Sequence, residues 1–146
     1  MNLLQIQMEF ESDDLLQLKW DNYGISIIDS FRKFRSEETF CDVTLWTENE
    51  SLNCHKVILS AFSSWFERML SRSQGTSCTS VYLHGISSKT IRNLVTFMYE
   101  SELTISQEDL SELLAVASDL EVKGLSQMEK AGIACNLEIL APIRFL

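Results

Sequence analysis

The sequence predicts an α+β domain, a small sheet with helices packed around it. Three observations carry this. Short β-rich runs and longer helical-period runs follow one another in the order β-α-ββ-αα-β-α-β-α. The chain has 146 residues, enough for a real core, because a domain of about 150 residues buries roughly 70% of its unfolded surface. Apolar residues make up 45%, with one proline and five glycines, a globular composition that leaves no stretch for a Gly/Ser or Pro-rich linker.

The first dozen residues carry no strong pattern. "LLQLKW" then places Leu16, Leu18 and Trp20 at period two with Gln17 and Lys19 between them, which predicts a short half-buried strand. In "DNYGISIIDSFRKFRSEE", Ile27, Ile28, Phe31 and Phe34 fall at helical spacing. This predicts an amphipathic helix over residues 24–35 whose apolar side is richer than one core contact requires. "DVTLWT", the turn-like "ENES" and "LNCH" read as a hairpin. "KVILSAF" and "SSWFERMLS" read as two short helices, the second capped by Ser63 or Ser64 with Glu67 placed for a capping box.

After the polar loop "RSQGTSCTS", "VYLHG" is a short strand. "SSKTIRNLVTFMYES" is a helix with Ile91, Leu94, Val95 and Met98 on one face and Ser87 or Ser88 as its cap. "LTIS" is expected to be a strand. The next helix is capped by Ser106, has Glu108 and Asp109 at its positive end, and carries the stripe Leu110, Leu113, Leu114 and Ala117. Gly124 is its expected αL stop. The tail is expected to be helical to about Leu140 and to break at Pro142.

Charge and composition narrow the function. Twelve basic residues against 21 acidic ones give −9, a poor match to nucleic acid, whose binding relies on Lys and Arg neutralising phosphates. Residues 100–121 hold seven acids and no base, which reads as a solvated helix face or a patch for a basic partner. No apolar run approaches the ~20 residues that span a bilayer. The acidic start does not match a signal peptide. A protein of the cell interior is expected, with Cys41, Cys54, Cys78 and Cys135 as free and mostly buried thiols.

"FCDVTLWTENESLNCHKVILS" gathers Asp42, two cysteines, His55 and Lys56. As a reaction centre it lacks a nucleophile on a special turn and a third group to orient a base. As a zinc site it lacks paired Cys or His spacing. No enzyme, cofactor or metal is expected. Asp42 opens an apolar strand and Lys56 opens an apolar helix. Charges so flanked are either solvated or paired.

Four segments, in order and at matching separations, resemble a BTB/POZ domain. They are F-x-D-V-T-L at 40–45, H-K-x-x-L-S-A-x-S-x-x-F at 55–66, F-M-Y-x-x-E-L at 97–103 and L-x-x-A-x-x-L-x-x-K-G-L at 114–125. The likeness covers residues 16–125. "LQLKWDNY" is similar to the start of the Tramtrack-type subgroup of insect transcription regulators, with Asp21 in place of its first asparagine. Ser64 stands where that family commonly has proline, and Ser101 where it commonly has glycine.

The resemblance implies a protein-interaction module, with a tail over 1–14, the domain over 15–127 and an extension over 128–146. It implies an intertwined dimer, or a larger assembly, in which the first helix packs on its twin and the N-terminal strand pairs with a strand of the other chain. Leu16, Leu18, Trp20, Ile27, Ile28, Phe31 and Phe34 are then the interface, and Asp42 and Lys56 a paired charged pocket near the dimer groove. The implied partners are a second copy, other BTB/POZ chains, and co-repressors or a cullin, with a nuclear location. The implied function is oligomerisation of a transcription regulator. Adaptor work for a cullin-type ubiquitin ligase is the alternative, although "SRSQGTSCTS" lacks the apolar anchor and acid of that class. A potassium-channel tetramerisation module is the third, without its zinc-type pattern. The apolar Ile139, Leu140, Ile143, Phe145 and Leu146 are expected to pack on the domain or on a neighbouring chain.

Overall fold

The computed structural model describes residues 6–12, 14–73, 75 and 78–130. The α+β expectation holds, and the chain divides into a body and an N-terminal arm. The body is built on a three-stranded sheet in the order β4-β3-β5. β3 (Val43–Trp46) and β4 (Ser51–Cys54) form the antiparallel hairpin. β5 (Thr79–Tyr82) lies parallel to β3 on its other side, with Leu45 opposite Val81. Alternation sends Val43, Leu45, Cys54 and Val81 inward.

The inner face shares one core with α2 (Lys56–Phe62), α3 (Ser64–Leu70), α4 (Ser88–Glu100), α5 (Gln107–Asp119) and α6 (Leu125–Lys130), the last lying against α5. The core joins Leu59, Phe66, Ile91, Leu94, Leu113, Leu114 and Val122 to the strand residues. Side-chain hydroxyls satisfy the helix starts. Ser63, Ser87 and Ser106 accept from the amides of Phe66, Thr90 and Asp109. Ser63 rather than Ser64 is the α3 cap, so Glu67 falls one residue past the capping-box position.

Three expectations are corrected. Residues 6–12 are not patternless tail but a strand, β1 (Ile6–Ser12), antiparallel to β2 (Leu15–Trp20). Ile6, Met8 and Phe10 alternate with Gln7 and Glu9, the period-two signal that marks it. The "LTIS" segment is not a strand: no strand pairs with it among the described residues. Leu103 and Ile105 still pack on the core while Thr104 faces out. Finally, α5 stops at Asp119, five residues before Gly124. Val122 is pulled into the core and bridges Ser63, the Lys123 amide reaches the Phe62 carbonyl, and Glu121 takes the left-handed turn (φ 53°). Gly124, also left-handed, instead lies just before α6, with the Phe97 ring against it. The tail beyond residue 130, with Cys135 and the expected helix to Leu140, lies outside the described residues.

Candidate interaction surface

The arm comprises β1, β2 and α1 (Tyr23–Ser36). In the β1–β2 ladder Ile6 faces Trp20, Met8 faces Leu18 and Phe10 faces Leu16. Directly opposed residues share a face, so the six form one apolar side of a ribbon. Gln7, Glu9, Gln17 and Lys19 form the polar side. All of β2 is exposed, with Leu18 at 67% and Leu16 at 54%, and Phe10 of β1 stands at 80%. A two-stranded ribbon alone is marginal in water, and large apolar side chains each gain about 1.5–3 kcal/mol from full burial. This surface is therefore built to be covered.

Helix α1 has two sides. One docks on the body. Phe31 meets the His55 ring edge-on at 5.9 Å. Arg32 donates to the Tyr99 carbonyl (3.1 Å) and pairs with Glu100 (3.1 Å) and Asp29 (2.8 Å). The Arg35 guanidinium sits 5.1 Å from the Tyr99 ring centre. A cation at the C-terminal end of α4 is well placed in the field of that helix. The other side holds Tyr23 and Ile27, one turn apart, with Trp20 edge-on to Tyr23 at 6.3 Å; Ile25 lies on a different face, and all three are exposed.

The expected interface residues thus fall into two groups. Leu16, Leu18, Trp20 and Ile27 face outward. Ile28, Phe31 and Phe34 are half-buried, and Phe31 packs on the core as the arm's own anchor. Sequence reasoning missed Ile6, Met8 and Phe10 in β1, and Tyr23 and Ile25, which lie a turn before the residues it chose.

Asp42 and Lys56 do come together, through different atoms from those expected. The Lys56 main-chain amide donates to Asp42 Oδ1 at 2.7 Å. Lys56 is the first residue of α2, and His55, at the cap position, provides no side-chain cap. Asp42 therefore caps α2 from the strand next door, a carboxylate at a positive helix end. Among the described residues no ion pair joins its carboxylate to the Lys56 ammonium.

His55 is buried (3% exposed) with both ring nitrogens engaged. Nε2 lies 2.8 Å from the Thr39 carbonyl, which only accepts, so Nε2 carries the proton. Nδ1 then accepts from the Tyr99 hydroxyl at 2.6 Å, and the same hydroxyl receives the His55 amide at 3.0 Å. Burial holds Cys54 as a neutral thiol, its pKa pushed up to about 12. It raises Cys41 too, helped by the charges of Glu38 and Asp42. These residues bind the frame together, with both His55 ring nitrogens taken up in hydrogen bonds.

A mixed sheet with helices on its inner face, extended by an apolar arm, defines an interaction domain. The chain belongs to the BTB/POZ domain family, whose model matches residues 31–134. In Drosophila melanogaster, Protein abrupt is 39% identical over 111 residues, 76% of this chain and 12% of that protein. Longitudinals lacking protein-like is 35% identical over 116 residues, 80% of this chain and 91% of that one. For the Broad-complex core protein isoforms the values are 36% over 114 residues, 77% and 15%. The chain thus spans nearly the whole of one relative and less than a sixth of the other two. These insect relatives agree with the Tramtrack-type resemblance. The BTB domain of zebrafish PATZ1 superposes with a TM-score of 0.71 at 25% identity, covering 80% of this chain and 96% of that one.

Proposed function

We propose that this domain is the module through which a nuclear transcription regulator assembles with a second copy of itself or with other BTB/POZ chains. One observation carries the reading. The arm leaves β2 exposed along its length with β1 on only one of its edges, and residues 102–106 of the body, which alternate between half-buried and exposed, pair with no strand among the described residues. Pairing β2 of one chain with 102–106 of another would satisfy both sets of main-chain groups. It would also bury the apolar ribbon side and the outward stripe of α1. Interfaces of obligate dimers are core-like and bury about 2,000–5,000 Å², which suits this surface. With a charge of −9 the domain is suited to protein partners rather than to phosphate backbones. Co-repressors are partners of the assembled form in this reading.

Size exclusion coupled to light scattering tests it. The expected mass at micromolar concentration is at least twice the 16.7 kDa of the chain. A mass of one chain overturns the reading.

A further inference from the structure

A cleft of about 390 Å³ lies between the end of α1 and the outer edge of β4, away from the apolar surface of the arm. Its floor is a strand edge that no other strand covers among the described residues, because β4 is terminal in the sheet. The Thr47 amide bonds to the Glu50 carbonyl at 2.9 Å, and Leu45 stands opposite Leu52. Thr47/Glu50 and Leu45/Leu52 are thereby the hydrogen-bonded positions of the β3–β4 ladder. In an antiparallel pair such positions alternate with ones whose main-chain groups turn away from the partner. Ser51 and Asn53 hold those alternate positions. Both line the cleft and direct N–H and C=O groups to its side.

The wall is charged. Arg32 and Glu100 line it but neutralise each other. Arg35 also lines it and forms no ion pair among the described residues. The Tyr99 ring holds its guanidinium from one side, which keeps the planar N–H edge available for a carboxylate. Glu38, on the same rim, is exposed and would repel a second acid. Leu52, half-buried, provides an apolar patch.

We propose that this cleft binds an extended peptide segment of a partner protein as an added strand on β4, with one carboxylate side chain held by Arg35. Main-chain bonds to Ser51 and Asn53 would provide affinity whatever the sequence, and Arg35 would provide selectivity.

Fluorescence anisotropy on the full chain tests this. The probe is a labelled heptapeptide, acetylated and amidated, of alternating threonine and valine around a central glutamate. The same peptide with a central glutamine is the comparison. The glutamate peptide should bind saturably and about tenfold more tightly, the scale of one charge-assisted contact. Arg35→Gln should erase the difference and Arg35→Lys should keep part of it. Glu38→Gln, an exposed change that leaves the fold untouched, should tighten the glutamate peptide. Asn53→Pro removes an outward N–H that an edge strand can lose and should weaken both peptides. Light scattering should give the same mass for all four variants. No saturable binding overturns the proposal. So does an unchanged preference in Arg35→Gln, or a fall in mass in that variant, which would place a second copy of the chain in the cleft. The assembly proposed above stands or falls separately, on the mass of the unmodified chain.

Discussion

The body and the arm solve opposite problems with similar residues. In the body, apolar alternation on β3 and β5 points at helices that lie within the same chain, and Leu45, Leu59 and Leu114 are at most 1% exposed. In the arm the same alternation points at nothing. Among the described residues, ten of the fourteen large exposed apolar side chains lie between Ile6 and Ile27. The body therefore completes its own core, whereas the apolar side of the arm stays open among the described residues, and in the reading proposed above a second chain covers it. Exposure of this kind is a better guide to the interaction surface than any reactive side chain.

The largest effect should come from charging the arm. Leu18→Glu combined with Ile27→Glu should reduce the mass in light scattering to one chain while the body still unfolds in a single transition. If the double variant keeps the mass of the parent, the arm is not the joint. In the body, Leu59→Ala leaves a cavity and should lower stability by about 2–5 kcal/mol, read as a shifted midpoint in urea. A loss of less than about 1 kcal/mol would show that the body depends on the arm for its packing.

Asp42 separates a cap from an ion pair. If its role is to accept the Lys56 amide, Asp42→Ala should cost about 0.5–2 kcal/mol. Asp42→Asn, which keeps an accepting oxygen, should cost less, and Lys56→Gln almost nothing. Equal losses for Asp42→Asn and Lys56→Gln in thermal melts would restore the charge pair.

Ser101 gives a gain. It ends α4 with φ 60°, a conformation that glycine adopts freely. Ser101→Gly should therefore stabilise by up to about 1 kcal/mol. Unchanged or lowered stability would mean that the serine side chain offsets the strain.

Thiol reactivity gives the finest contrast. At pH 8 a maleimide should label exposed Cys78 first and half-buried Cys41 more slowly. Cys54 should be labelled only as the body opens. Its raised folded pKa means that the unfolded chain loses this proton first. Its contribution to stability is full below the ordinary thiol range and falls as pH rises from about 9 toward 12. Prompt labelling of Cys54 in peptide mapping would contradict a closed core.

Most of the body was legible because its signals are local. Ser87 and Ser106 stand where their helices start, and the period of Ile91, Leu94, Val95 and Met98 marks the buried face of α4. What was misread depends on partners that are distant in sequence. Residues 102–106 have the alternation of a strand, but a ladder needs a second strand, and among the described residues none pairs with them. The end of α5 is set by Val122 entering the core beside Ser63 rather than by the glycine that follows. Asp42 was expected to pair its charge with Lys56, and its carboxylate instead accepts from the Lys56 main-chain amide. Composition could not show that the contact is with a main-chain amide, because that depends on where β3 ends relative to α2. The cleft beside β4 has no sequence signature, since it arises from the register of a hairpin and the angle of a helix.

Tyr99 does several jobs from one position. Its hydroxyl takes the His55 amide and bonds the imidazole, its ring carries Arg35, and its carbonyl receives Arg32. Tyr99 consequently fixes where α1 sits on the body. If two chains join through their arms, as proposed above, that seat would set the angle at which they meet.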